Sequence, residues 1–226
     1  MHNQWGEISE KLYQIYKKEN IVDSFQSDEE YLRKAFYYIE KLWNEQFNKI
    51  DDIKVMLISE APLFCKSKSY IYNENTAPSA FFLYNDISAF PTWNETRIKP
   101  KLIQEQKRLM LQEFHKNGLI ILDIFPFAFN DNDTKLNYRR MNTKLYKELL
   151  EVTRESYLLP KLTKCFSKLT EDSKFVYRYK RLYEKTGNHF DSVLDSVSLE
   201  IIYTTDTING DNMSLNRNKL KSLLKN

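Results

Sequence analysis

Four short apolar runs recur along the chain, separated by stretches with helical spacing. They are Ile53–Ser59, Leu119–Asp123, Lys174–Tyr179 and Leu199–Thr204. Apolar runs of this length read as strands buried on both faces, and such strands need helices on both sides of the sheet. Alternation of strand and helix argues for parallel pairing. Right-handed crossovers then bring the carboxyl ends of all four strands to one edge. Open α/β sheets bind ligands at that edge. The expected fold is therefore α/β: a three-layer α/β/α sandwich with a central four-stranded, mainly parallel sheet and extra N-terminal helices.

The helical stretches carry their own signals. From Trp5 to Lys18, Ile8, Leu12, Ile15 and Tyr16 fall on one face. Ser27-Asp28-Glu29-Glu30 has the form of a capping box and predicts a helix start at Ser27, with Leu32, Phe36, Ile39, Leu42 and Trp43 inward. Pro100 to Asn117 reads as a helix with Leu102, Leu109, Met110 and Phe114 on one face and Gly118 just past its end. Thr143 to Leu169 is helical with a break expected at Pro160. Phe81–Tyr84 reads as a short helix. Further helical segments are expected over His189–Ser196 and from Ser214 to the end, the latter after a polar loop from Asp206 to Asn212.

Composition excludes several function classes. The 226 residues include only 4 glycines, at positions 6, 118, 187 and 210. Neither G-x-G-x-x-G nor G-x-x-x-x-G-K-[ST] occurs, so no glycine-rich phosphate loop is available. Two cysteines are too few for a disulfide framework or a four-cysteine cluster. Charge is nearly balanced at +3, which permits a nucleic-acid partner without arguing for one. No apolar run nears 18 residues, and the N-terminus lacks the apolar core of a signal peptide. A soluble cytoplasmic protein of one domain, 1–226, with helices in 1–50 packed on it, is the expectation. No membrane contact and no cofactor are expected.

The strand ends place Glu60, Asp123 and Asp206 at one edge. Carboxylates there act as general acids or bases, position a water, hold a metal, or simply cap the next helix. Aromatic residues crowd the same loops, among them Phe64, Phe81, Phe82 and Phe125. Their rings either stack a flat base or fill the core.

Strand followed by Glu60-Ala61-Pro62 resembles the first motif of the uracil-DNA glycosylase superfamily, most closely the branch with Gly-Glu-Ala-Pro-Gly. Leu119–Phe127 resembles that family's second strand and its exit, and Ile201–Arg217 its final strand and DNA-contacting loop. Ser59 and Leu63 replace the flanking glycines. No histidine stands near Thr205-Asp206-Thr207, and the iron–sulfur cysteines of that branch are absent. The resemblance covers Ile53 to the C-terminus. It implies DNA or another nucleobase-containing ligand, and release of a damaged base by N-glycosidic hydrolysis. Glu60 would orient or activate the attacking water, and Asp123 would read the base edge. Phe64, Phe81, Phe82 or Phe125 would stack on the base. Asp206 is the third strand-end carboxylate, while the loop with Asn209, Asn212 and Ser214 would meet the phosphate backbone or wedge the duplex. The competing readings are an inactive nucleic-acid or nucleotide-binding module on the same fold, and a metal-dependent phosphoester hydrolase using Glu60, Asp123 and Asp206.

Overall fold

A computed structural model describes residues 2–65, 68–77, 88, 90–93, 102–178, 182–188, 203–207 and 222–224. The protein is mixed α/β, built on a parallel sheet. Its elements in chain order are α1 (His2–Lys18), a 3-10 turn (Val22–Ser24), α2 (Phe25–Phe47), β1 (Ile53–Ser59), α3 (Ile103–Lys116), β2 (Leu119–Asp123), α4 (Thr143–Thr153), a π-helical turn (Arg154–Leu158), α5 (Leu159–Phe166), β3 (Leu169–Tyr177) and β4 (Tyr203–Thr207). The strand order is β2-β1-β3-β4. Residues expected in the short helix at Phe81–Tyr84, in His189–Ser196 and at Ser214 lie outside the described residues.

β1 is the centre of the core. Val55 to Ser59 are buried in unbroken succession, as are all five residues of β2. Their register is Val55 with Leu119 through Ser59 with Asp123. Beyond β2 the sheet edge is satisfied by side chains. The Ile121 amide donates to the Tyr72 hydroxyl at 2.6 Å, and the Trp43 indole donates to the Ile121 carbonyl at 3.0 Å. This leaves less bare ladder for another chain to pair with.

Several boundaries differ from the sequence reading. α2 begins at Phe25 with no side-chain cap, so the expected capping box is not formed. Asp28 is instead drawn into the interior. It accepts from the Tyr16 hydroxyl at 2.7 Å and the Lys135 amide at 2.6 Å. These two bonds tie α2 to α1 and to the loop after β2, and they outcompete a local cap. α3 places Leu102 and Ile103 at its exposed start, and its buried face runs through Met110, Leu111 and Phe114. Leu102 is thus not part of the apolar stripe.

Pro160 does not break the rod. A proline lacks the N–H for residue i−4 and its ring crowds that carbonyl. The backbone widens into the π turn just before it. The Ser156 carbonyl, which Pro160 cannot serve, accepts from Gln4 Nε2 of α1 at 2.7 Å.

β3 begins earlier than expected, at Leu169, and ends at Tyr177 instead of Tyr179. Its register against β1 shifts between Ile53 and Val55. Ser173 bridges that irregularity, donating to the Ile53 carbonyl at 2.5 Å. β4 spans Tyr203–Thr207, so Asp206 lies within the strand instead of the loop after it, while the expected start of that strand at Leu199 lies outside the described residues. β-branched threonines at 204, 205 and 207 favour that extension.

Among the described residues, no helix is long and apolar enough to cross a membrane.

Candidate functional site

The parallel pairing of β1 with β2 delivers Glu60 and Asp123 to the same edge. Ser59 lies beside Asp123 in register, and Glu60 follows it. The exit from β2 stays tied to that point, since Ile124 N donates to the Ser59 carbonyl at 3.0 Å and Phe125 N to the Glu60 carbonyl at 3.1 Å. On the other side of β1, Arg178 N donates to the Ile58 carbonyl at 2.8 Å, which starts the β3 exit at the same level.

The two carboxylates differ in environment. Glu60 is half-buried, and its Oε1 accepts from the Tyr146 hydroxyl of α4 at 2.9 Å. Lys185 Nζ lies 4.5 Å over the Tyr146 ring, so a cation sits one ring away from that hydrogen bond. Asp123 is 3 % exposed. Tyr70 donates to its Oδ2 at 3.4 Å, and Ser59 also hydrogen-bonds its carboxylate. Arg178 Nη1 reaches Ser59 Oγ at 3.3 Å. Burial pushes the Asp123 carboxyl up to about 6, against the opposing pull of Lys161, Ser59, Arg178 and Tyr70.

The aromatic candidates separate. Phe125 is fully buried, stacked on Tyr138 at 5.2 Å and met by the edge of Tyr146 at 5.0 Å. Its ring is committed to packing, so the expected stacking of Phe125 on a base is not available in this conformation. Phe64 is half-buried and belongs to a different feature, a cleft lined with α2 residues that includes neither Glu60 nor Asp123. Phe81, Phe82, Asn209, Asn212 and Ser214 lie outside the described residues. Asp206 is placed by its backbone alone, inside β4. Among the described residues, no three His, Cys, Asp or Glu side chains come together as a metal site would require.

Arg178, Tyr146, Lys185 and Ser59 were missed by sequence reasoning. Arg178 had a usable signal. Ending the third strand two residues sooner puts it first after the strand. Tyr146 had none, because an inward tyrosine on an amphipathic helix reads as core.

Two titratable groups, the buried Asp123 and the half-buried His115, set opposite pH trends. Asp123 in the folded chain holds its proton up to about 6, well above an ordinary aspartate, so this group adds stability as pH falls from above 6 toward 4. His115 hydrogen-bonds Gln46 Oε1 at 2.8 Å, and burial, helped by Lys49, lowers it to about 4. The unfolded imidazole takes up a proton that the folded one refuses, so this group loses stability over the range from 6.5 down to 4. Urea midpoints at pH 7 and pH 5 should separate the two. Asp123→Asn should deepen the loss on acidification by about 1 kcal/mol, and His115→Gln should reduce it. An Asp123→Asn variant with the wild-type difference between the two pH values would show that Asp123 titrates normally.

Compared with models of known protein families, with curated proteins and with solved structures, the chain matches none.

Proposed function

We propose that this chain is a divergent member of the uracil-DNA glycosylase superfamily, a three-layer α/β/α sandwich on a four-stranded sheet, and that it hydrolyses an N-glycosidic bond at the sheet's carboxyl edge. One observation carries the reading. Glu60 and Asp123 end adjacent parallel strands, and of the two it is Glu60 that keeps solvent access while Tyr146 holds its Oε1. Burial of both faces of β1 supports the layered arrangement.

In this reading a water bonds to the sugar C1′ as the C1′–N bond breaks. Glu60 takes a proton from that water, and the bonding electron pair leaves with the base. The developing negative charge needs a preorganised positive partner. With no motif histidine, that role falls to Arg178, which donates to Ser59 Oγ, and to Lys185, which lies over the Tyr146 ring. Asp123 acts from behind, holding Ser59 in place, and does not touch the base itself.

The test is abasic-site formation on oligonucleotides containing uracil or hypoxanthine, run in parallel with EDTA and with a divalent cation. The wild-type protein should release base, and Glu60→Gln should slow release by about 100-fold or more. Absence of release across both substrates overturns the hydrolytic reading. DNA binding with a clear salt slope and no release would then identify the inactive binding module. Cleavage abolished by EDTA would identify the metal-dependent hydrolase.

A further inference from the structure

A cleft of about 430 Å³ lies between α2 and the loop after β1, within the ordinary range for small-molecule sites of about 300–1,000 Å³. Tyr31, Lys34 and Tyr38 line it from one face of α2, and Phe64, Cys65 and Lys68 from the loop. We propose that this cleft binds a planar aromatic ring carrying a single phosphate, a ligand of the nucleoside-monophosphate class. The assignment stands independently of the reading of Glu60.

The aromatic wall is fixed. The Phe64 ring lies 5.7 Å from Tyr31 and 5.7 Å from Tyr38, tilted by 59° to each. The Phe64 carbonyl accepts from the Tyr31 hydroxyl and from Asn130 Nδ2, which pins the loop at this residue. Asn130 Nδ2 also donates to the Tyr31 hydroxyl at 2.7 Å, so the wall is braced from behind.

The cation is fixed beside it at a backbone cost. Lys68 has φ +50°, a left-handed conformation that disfavours residues with a Cβ. Three hydrogen bonds hold it there. Lys68 N donates to the Cys65 carbonyl at 2.7 Å, and the Lys68 carbonyl accepts from Tyr70 N at 2.8 Å and Asn73 Nδ2 at 2.9 Å. The result places Lys68 Nζ 5.0 Å over the Tyr38 ring. Among the described residues, that ring is the only partner of the Lys68 ammonium. An ammonium over a tyrosine, next to a half-buried phenylalanine, presents one positive charge and one flat apolar surface to the same ligand.

The other charges narrow the class. Lys34 is paired with Glu30 at 2.6 Å in an exposed position, an interaction weak enough to exchange for a ligand phosphate. Asp133 also lines the cleft. Its negative charge opposes a polyphosphate while tolerating a monophosphate held at Lys68.

Cys65 supplies the readout. It is half-buried in the cleft, whereas Cys165 is buried and its thiol is pushed up to about 12. Alkylation of Cys65 by iodoacetamide, followed by peptide mass spectrometry on the full chain, therefore reports occupancy. UMP at about ten times its dissociation constant should slow alkylation about tenfold. Uridine alone and inorganic phosphate alone at the same concentration should slow it less than about twofold. Lys68→Gln and Tyr38→Ala should each abolish protection by UMP, with Tyr38→Phe retaining it. No protection by UMP up to about 10 mM overturns the proposal. Protection that survives both Lys68→Gln and Tyr38→Ala, or that phosphate alone reproduces, overturns it as well.

Discussion

Lys161→Met should lower the unfolding free energy by about 3–5 kcal/mol, the usual cost of removing one partner from a buried ion pair. Lys161 is 5 % exposed and Glu40 is 8 % exposed. The Lys161 ammonium lies 2.5 Å from Glu40 Oε1, as a close ion pair more than an aligned hydrogen bond. It donates to the Tyr157 hydroxyl at 3.0 Å and sits over the Trp43 ring at 4.4 Å. Deleting the ammonium strands the Glu40 carboxylate in the interior. Glu40→Gln should cost less, because Lys161 keeps the tyrosine oxygen and the indole face. Lys161→Met combined with Glu40→Leu should recover much of the loss, since apolar replacements remove both desolvation costs together. Urea denaturation with constant slope measures all three. The carboxyl of Asp123 provides a second reading. Lys161 is one of the charges that hold it down, so Lys161→Met should raise its titration further, visible in the carboxyl carbon resonance. A double variant as unstable as the single one would show that packing, and not charge, fixes this position.

The first two strands were legible because Val55–Ile58 and Leu119–Leu122 are continuous apolar runs. Their buried neighbours on both faces made periodicity unnecessary. β3 was harder, since its early part is polar. Leu169 to Ser173 join the sheet through an irregular register held by Ser173, and no local pattern announces such a bulge. The N-terminal boundary of α2 failed for a related reason. Asp28 looked like part of a local cap, but its carboxylate is used over long range by Tyr16 and Lys135. A capping motif is a local preference, and a buried tertiary hydrogen bond overrides it.

The site was legible only in part. Topology placed Glu60 and Asp123 together once the strands were recognised, because parallel neighbours end at one edge. What separated their chemistry was depth. Tyr70, Ser59 and the β2 exit seal Asp123, and Tyr146 reaches Glu60 from a helix more than eighty residues away in the chain. Such partners carry no spacing signal. The cleft at Phe64 and Lys68 was hidden for another reason. Its two walls come from α2 and from the loop after β1, so only the packing of these elements creates it.

Gly118→Ala should destabilise the protein by about 3 kcal/mol, adding about 1–2 for a left-handed alanine and about 1–3 for overpacking. Gly118 follows α3 at φ +60°, a conformation that terminates helices and suits glycine. A Cβ there would overlap the Asp52 carbonyl oxygen and lie 2.8 Å from the Lys54 amide nitrogen. Both are backbone atoms, so neither can swing aside as a side-chain tip would. The position also sets the register. The Gly118 carbonyl accepts from Lys54 N at 2.9 Å and Val55 N at 3.0 Å, just where β1 and β2 begin to pair. Displacing it strains the ladder whose far end carries Glu60 and Asp123, so the loss in thermal midpoint should be joined by a change at that edge. Gly6→Ala is the matched control. Gly6 lies within α1, where among the described residues an added Cβ would meet no atom within 4 Å beyond its own helix, and alanine there should stabilise by up to about 1 kcal/mol. One substitution type should thus move the melting temperature in opposite directions at two sites. A neutral Gly118→Ala would mean that the α3–β2 turn does not hold this conformation, and the register that brings the two carboxylates together would lose its anchor.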